Sequence, residues 1–495
     1  MKKTTIVDKA FLIILALSLA TCSSPVPPTE RDLGSISTPT TESVSPVEKV
    51  ASPTTESPPQ MEGEFADVVF MNGVVLTMEL DPSQAQAIAI RGEQISAVGN
   101  DEEVSQWIGP NTRVIDLQGY TLMPGFVDGH NHLFSQSQFP DQGMWDVQDL
   151  ALSFGVTTSA EAGVDAQLLD QILKVDQDGE LRLRASLYLL HATSCGEDLG
   201  FWYQDHPPSR PEGAKLHISG IKVFTDGGSC NRPAVSFEYV GEGHGDLYFS
   251  QEELNQIVMD AQGRGYQVAI HALGDRAVEQ SQNAIEAALD GSPNTPRHRI
   301  EHNALVRPDL VSRYTEIGVV AMIFGKFPAC FFVGDTSKFK YLTPPEYISW
   351  EWPYRTLIDE NPGLHFAWHS DYPVFSSINP MEHLYGMVTR KEVSEDGVTI
   401  CEPLDWAIDD RLSVEEALRF MTIESAYSLF REEEVGSLKP GKYADMIVLS
   451  ANPLSVTPDS LKGIQVWMTM VSGRVEYCSS EQQWICPPSG GGEED

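Results

Sequence analysis

Positive charge is scarce in this chain: 33 Lys and Arg stand against 71 Asp and Glu over 495 residues, a formal net charge of −38. Nucleic-acid binding needs a basic face, so that partner class is excluded, and adsorption to anionic lipid is disfavoured. The acid excess reads as a solvated surface that keeps the protein soluble. Cysteine is also sparse, at seven, and no Cys-x-x-Cys pair occurs, which argues against a thiolate zinc site or a thioredoxin-type redox centre. No Gly-x-Gly-x-x-Gly follows an apolar run, so a dinucleotide-binding open sheet has no support. What remains is ordinary globular material, 41% hydrophobic and long enough for one large domain with an accessory one.

The ends of the chain differ from its middle. Lys2 and Lys3 precede an apolar run at residues 10–20, too short to span a bilayer and typical of a secretory signal peptide. The run closes on Leu19-Ala20-Thr21-Cys22, which resembles a bacterial lipoprotein box with Thr21 in place of the usual small residue. Residues 1–22 are therefore expected to be a lipoprotein-type signal peptide, cut ahead of Cys22 so that the lipidated Cys22 becomes the new N-terminus and the membrane anchor of an exported protein. Residues 23–62 are rich in Pro, Ser, Thr and Glu, and Thr38-Pro-Thr-Thr-Glu-Ser returns as Ser52-Pro-Thr-Thr-Glu-Ser. Such a segment buries little apolar surface and is expected to be a disordered tether. The other six cysteines are Cys195, Cys230, Cys330, Cys401, Cys478 and Cys486; the last two are close enough to close a small loop.

Residues 63–121 read as short strands with tight turns, among them Asp67-Val-Val-Phe-Met-Asn-Gly, Ala87-Ile-Ala-Ile and Gln94-Ile-Ser-Ala-Val-Gly. Ala444-Asp-Met-Ile-Val-Leu and Val466-Trp-Met-Thr-Met-Val, within 432–487, have the same character. Edge strands need partners, so the two flanks are expected to form one β-sandwich. Between them, at 122–431, apolar runs alternate with helical patterns. Eight runs stand out: 122–132, 156–162, 183–190, 220–226, 266–272, 298–303, 319–325 and 364–371. Helices are expected from the Ser250 capping box to about Gly263, over 275–289 and 308–317, and after Ser413. Eight alternating units fit an α/β fold, a (β/α)8 TIM barrel.

In such a barrel, chemistry sits at the C-terminal strand ends. His130 and His132 are two apart, hence on one face of an extended strand. Lys222 and Asp226 fall on the fourth run, His271 ends the fifth, Glu301-His302 the sixth and His369-Ser370-Asp371 the eighth. Neutral imidazoles and a carboxylate are ligands for zinc and its neighbours. Asp128 and Glu301 read as groups that orient imidazoles, and His369 as structural. Arg232, Asp275 and Arg276 are open between substrate contacts and local pairing.

Five motifs occur in order: Pro124-Gly-Phe-Val-Asp-Gly-His-Asn-His, Ile221-Lys-Val-Phe-Thr-Asp-Gly-Gly, His271-Ala-Leu-Gly-Asp-Arg-Ala, Arg299-Ile-Glu-His and Ser370-Asp-Tyr-Pro. Together they resemble the amidohydrolase superfamily, in particular its YtcJ-like ("amidohydrolase 3") branch, over about residues 64–477. The resemblance implies a divalent metal centre, with zinc as the metal, in one or two copies. His130, His132 and Asp371 would hold the first metal and His271 and His302 a second. Lys222 would bridge them as a carbamate. It further implies hydrolysis of a non-peptide carbon–nitrogen bond (amide, formamide or cyclic amide) by metal-activated hydroxide, with Asp371 carrying the proton to the leaving nitrogen. The partner is then a small-molecule substrate, contact with a membrane comes only through the anchor, and a homo-oligomer is left open. One departure is visible: branch members carry a long insertion after the first strand, whereas here His132 reaches Gly155 in 23 residues, which implies a more open site. Two alternatives stand beside this reading. A superfamily deaminase would carry Glu three residues after the third histidine, where this chain has Gly274. A non-catalytic binding lipoprotein on the same barrel would be expected to have lost a ligand.

Overall fold

The computed structural model describes residues 65–486 except 82, 229, 241–242, 331–342, 375 and 395. The expected signal peptide and tether lie outside the described residues. Those described belong to one compact unit, Glu62–Asp495. No helix among them is long and apolar enough to cross a membrane.

The apolar runs become eight parallel strands in sequential order: Phe126–Asn131, Val156–Val164, Arg184–Leu190, Leu216–Phe224, Gln267–Ala272, Arg299–His302, Val320–Phe324 and Phe366–His369. Nearly every residue in them is buried, which is why they read as continuous rather than alternating hydrophobic stretches. The eighth strand returns to the first. Asp371 N donates to His130 O at 3.0 Å and His132 N to Tyr372 O at 2.7 Å, closing the ring. The expected TIM barrel is the fold observed.

The helix Gln251–Gly263 begins as its sequence predicts: Ser250 accepts from Glu253 N while the Glu253 side chain accepts from Ser250 N. Its buried face is Leu254, Ile257, Val258 and Ala261, the spacing of one helical stripe. Each of the three larger side chains contributes about 1.5–3 kcal/mol on burial, and Leu254→Ala would cost about 2–5 kcal/mol. Helix Asp275–Leu289 also forms as expected. The stretch 308–317 does not form one helix. It splits into a 3-10 turn, Pro308–Leu310, and a short helix, Arg313–Ile317, because Val311 N and Tyr314 N take the tighter i−3 carbonyls.

The flanks build the accessory domain. Thr121–Pro124 pairs with both Val74–Leu76 and Met446–Leu449 in a six-stranded sheet, and Val68–Met71 belongs to a four-stranded one. Phe70, Ile88, Leu122, Met446, Val448 and Met470 fill one core between the two sheets. The Asn72-Gly73 turn, with Asn72 at φ 55°, carries the chain from one sheet to the other. Leu122, Met123 and Pro124, read above with the first barrel strand, belong instead to this domain. The crossover falls at Gly125, where a Cβ would overlap the Thr157 side chain.

A buried ion pair pins the accessory domain to the barrel. Arg184 Nε meets Asp445 Oδ2 at 2.8 Å, Arg184 Nη2 meets Oδ1 at 3.1 Å, and Asp445 also accepts from Ser472 N. Cys478 and Cys486 close the loop their spacing suggests. Cys195–Cys230 links the loops after the third and fourth barrel strands, and Cys330–Cys401 links the loop after the seventh strand to the hairpin that follows helix Pro380–Thr389. Spacing alone did not reveal the last two pairs.

Candidate metal centre

His130, His302 and Asp371 come from the first, sixth and eighth strand ends, and each presents a ligand atom within 4.8 Å of the others. His130 Nε2 is 3.3 Å from Asp371 Oδ1 and His132 Nε2 is 3.5 Å from the same oxygen. Lys222 Nζ lies 3.4 Å from His130 Nε2. The His271 ring is centred 4.6 Å from that of His302. The six residues expected as ligands thus lie beside one another, and among the described residues only His130, His302 and Asp371 form the three-donor group, with His132, Lys222 and His271 next to it.

The backbone at this centre is unusual. His302, Asn303 and Asp371 sit at φ 73°, 53° and 55°, the left-handed region, at a cost of about 1–3 kcal/mol each. Their surroundings hold them there. Asn303 Nδ2 donates to Ile300 O and Met322 O, and its Oδ1 accepts from Tyr314. Beside Asp371, Ser370 Oγ donates to Asp128 Oδ2 at 2.5 Å and accepts from Tyr372 N.

Electrostatics favour neutral nitrogen donors. Burial holds His130 and His302 well below the usual histidine pKa, and the charge of Lys222 lowers both further. His271 is held at about 3, again chiefly by burial. Burial pushes Lys222 down to about 8, opposed by Glu301 and Asp371. For Asp371, burial alone would raise the carboxyl, but hydrogen bonds and charge from His130 and His132 bring it far below the ordinary range.

A carboxylate stands behind each of the two paired histidines. Glu301 Oε2 takes His130 Nδ1 at 2.5 Å and its other oxygen meets Arg299 Nε at 2.8 Å. Glu161, on the second strand, lies 3.8 Å from His132 Nδ1 and accepts from Phe134 N and Ser135 Oγ. Sequence reasoning found Glu301 and passed over Glu161 and Arg299. The signal available was a charged residue inside a strand otherwise buried on both faces. Asp128 departs from its expected role: it grips Ser370, not an imidazole, and so links the first strand to the eighth. Asp226 does not pair with Lys222, since its carboxylate accepts from the backbones of Ala234, Leu273 and Gly274. Asp275 accepts from Ser236 N and Arg307 and so serves the loop around it.

The residues present fit a metal. Besides the clustered donors, His271 Nδ1 and both ring nitrogens of His369 are buried with no hydrogen-bond partner among the described residues. Bare polar atoms in an interior need a compensating partner.

A closed parallel barrel with imidazoles, a carboxylate and a lysine at its C-terminal strand ends is an arrangement able to hold a divalent metal. The chain belongs to the amidohydrolase family, whose model matches residues 145–477. It is 29% identical to Protein LONG AFTER FAR-RED 3 of Arabidopsis thaliana over 65% of this chain and 52% of that protein. It is 27% identical to the amidohydrolase YtcJ of Bacillus subtilis over 54% of this chain and 48% of that one, so it spans about half the length of both. The N-substituted formamide deformylase of Arthrobacter pascens is 22% identical over 84% of this chain and 99% of the enzyme. Among solved structures, an uncharacterized metal-dependent hydrolase from Pyrococcus furiosus shares the fold with a TM-score of 0.62, at 20% identity over 78% of this chain and all of that one.

Proposed function

We propose that this protein is a metal-dependent hydrolase of a non-peptide carbon–nitrogen bond in a small molecule: an amide, formamide or cyclic amide. The observation that carries this reading is the three-donor group of His130, His302 and Asp371 with the Lys222 amine beside it. An N-substituted formamide deformylase aligned over 99% of its length supports the bond class.

His130, His302 and Asp371 would hold a metal; His132, beside Asp371, and His271, beside His302, are the further donors, as expected for a first site of His130, His132 and Asp371 and a second of His271 and His302. A divalent cation in this nitrogen-rich set, zinc by preference, supplies Lewis acidity and makes water acidic enough to deprotonate near neutral pH. Glu301 keeps the proton of His130 on Nδ1 and leaves Nε2 as the donor toward the centre. Asp371 takes the proton from water and delivers it to the leaving nitrogen, and its carboxylate, 16% exposed, is open to both. Lys222, carbamylated, would change from a buried cation into an anionic oxygen donor. The same reading keeps the YtcJ-like branch and the export of the protein on a Cys22 lipid anchor. Pairing of all six cysteines after Cys22 supports an oxidising compartment.

The test is metal analysis of the purified protein together with a screen of amides, formamides and cyclic amides on the metal-replete form. One to two equivalents of metal and turnover of one such class are expected. A metal-free protein that turns over none of them would refute the reading.

A further inference from the structure

The eighth strand contributes more than Asp371. His369 is the last residue of that strand, and Asp371 follows two residues later at φ 55°. The same spacing separates His130 from His132 at the end of the first strand. The two strands are neighbours across the barrel closure, locked by Asp371 N→His130 O and His132 N→Tyr372 O. His130-x-His132 and His369-x-Asp371 therefore stand side by side. The upper members, His132 and Asp371, come within 3.5 Å. The lower members, His130 and His369, stack with ring centroids 4.9 Å apart and planes 20° apart.

His369 also lies 4.9 Å, centroid to centroid, from His302. Its side chain is fully buried, and neither Nδ1 nor Nε2 meets a hydrogen-bond partner among the described residues. The other imidazoles differ in this. His130 Nδ1 is engaged by Glu301 and His271 Nε2 by Gly227 O at 3.0 Å, each leaving one nitrogen for the centre. A purely structural histidine in a closed core normally pairs at least one nitrogen, as His383 Nε2 does with Ser377 O at 2.7 Å. An imidazole with both nitrogens bare, set among the rings of two metal-ligand candidates, lacks a partner that the described residues do not supply.

We propose that His369 is a further metal ligand, a fifth imidazole that gives one ring nitrogen to a cation held between His130 and His302. This rests on the metal-hydrolase reading above and goes beyond it, since that reading uses only Asp371 from the eighth strand. The site becomes richer in nitrogen than four histidines make it, which favours zinc, cobalt or nickel over magnesium or calcium.

The experiment uses the full chain and compares wild type with His369→Phe, which keeps a ring in the core but no donor, and with His369→Asn, which is smaller and polar. Each is loaded with zinc and titrated with a chelator, then loaded with cobalt(II) for its visible absorption spectrum. For every variant that unfolds cooperatively on heating, zinc should leave at a chelator concentration at least about ten-fold lower than in wild type. The cobalt bands should also shift as a nitrogen donor is lost. If a folded variant keeps the wild-type chelator midpoint and cobalt spectrum, the inference is overturned while the metal-hydrolase reading stands. If wild type itself takes up no metal, it is that reading that fails.

Discussion

His130 and Glu301 share a hydrogen bond of 2.5 Å between Nδ1 and Oε2, deep in the barrel and out of reach of solvent. Glu301 is itself anchored by Arg299, whose guanidinium also donates to Gly129 O and lies over the Tyr188 ring. A chain of charge thus runs from the barrel interior to the first histidine of the site. Glu301→Gln preserves the shape and removes the charge. It is expected to weaken metal binding by about 10–100-fold, read by chelator competition. Wild-type affinity would show that the pair only packs.

Lys222 tests the bridging role. Lys222→Ala should lower metal content from two equivalents toward one and suppress turnover. Short carboxylic acids added to the variant should restore both in part, because they replace a missing anionic oxygen donor. Full metal content in the variant would instead leave Lys222 as a buried cation held by Glu301 and Asp371.

Asp371→Asn separates holding a metal from moving a proton. The amide can still offer an oxygen, but it cannot accept the proton from water. A fall in kcat of about 10²–10⁴ is expected, with the larger part of the loss in kcat and not in KM. A variant with unchanged kcat would remove Asp371 from proton transfer.

The Arg184–Asp445 pair is 0% and 1% exposed. Asp445→Ala leaves a buried guanidinium without its partner and should cost about 3–5 kcal/mol of stability, measured by denaturant unfolding. Adding Arg184→Met should recover much of that loss, because no unpaired charge then remains. If the double variant is as unstable as the single one, the stranded charge is not the cause.

Glu351, bridged to Leu305, supplies a pH dependence at a residue outside the ligand set. Burial pushes its carboxyl up to about 7, although a hydrogen bond from Thr343 opposes the shift. Unfolded, it ionises near the ordinary glutamate value, about 4.3. Between those two values the folded state retains a proton that the unfolded state has lost, so this group makes stability fall as pH rises from about 4 to 7, then level off. Glu351→Gln should remove that slope and be more stable than wild type above pH 7, by about 1–3 kcal/mol. Parallel stability curves for the two proteins would show that Glu351 ionises normally in the fold.

The barrel was legible because its strands are buried on both faces. Eight apolar runs punctuated by capped helices, such as that begun by Ser250, have few other architectures open to them. The ligand candidates were legible because polar residues at the ends of such runs stand out, as His271 and His302 do. What escaped the sequence lies across strands. Glu161 reads as one residue of a strand until it is seen behind His132, and Asp128 looks like a partner for histidine until Ser370 arrives from 242 residues further along the chain. Local pattern reports which face a residue occupies, but only the ring closure brings the first strand beside the eighth. The cysteine pairs show the same limit: eight residues of separation suggested Cys478–Cys486, whereas Cys330 and Cys401 meet over a separation of 71.

The strand Thr121–Pro124 ends its hydrogen bonding on Met446–Leu449, roughly 320 residues further along. At a synthesis rate of about 5–20 residues per second, its partner is made on the order of 15–60 s later. During that interval the first half of the accessory domain has an open edge and an uncovered apolar face. Export in an unfolded state would relieve the problem, because both halves then reach the folding compartment within one passage. The split domain thus ties the timing of folding to the completion of the chain, and truncation before residue 446 should leave a barrel whose neighbouring sheet invites aggregation.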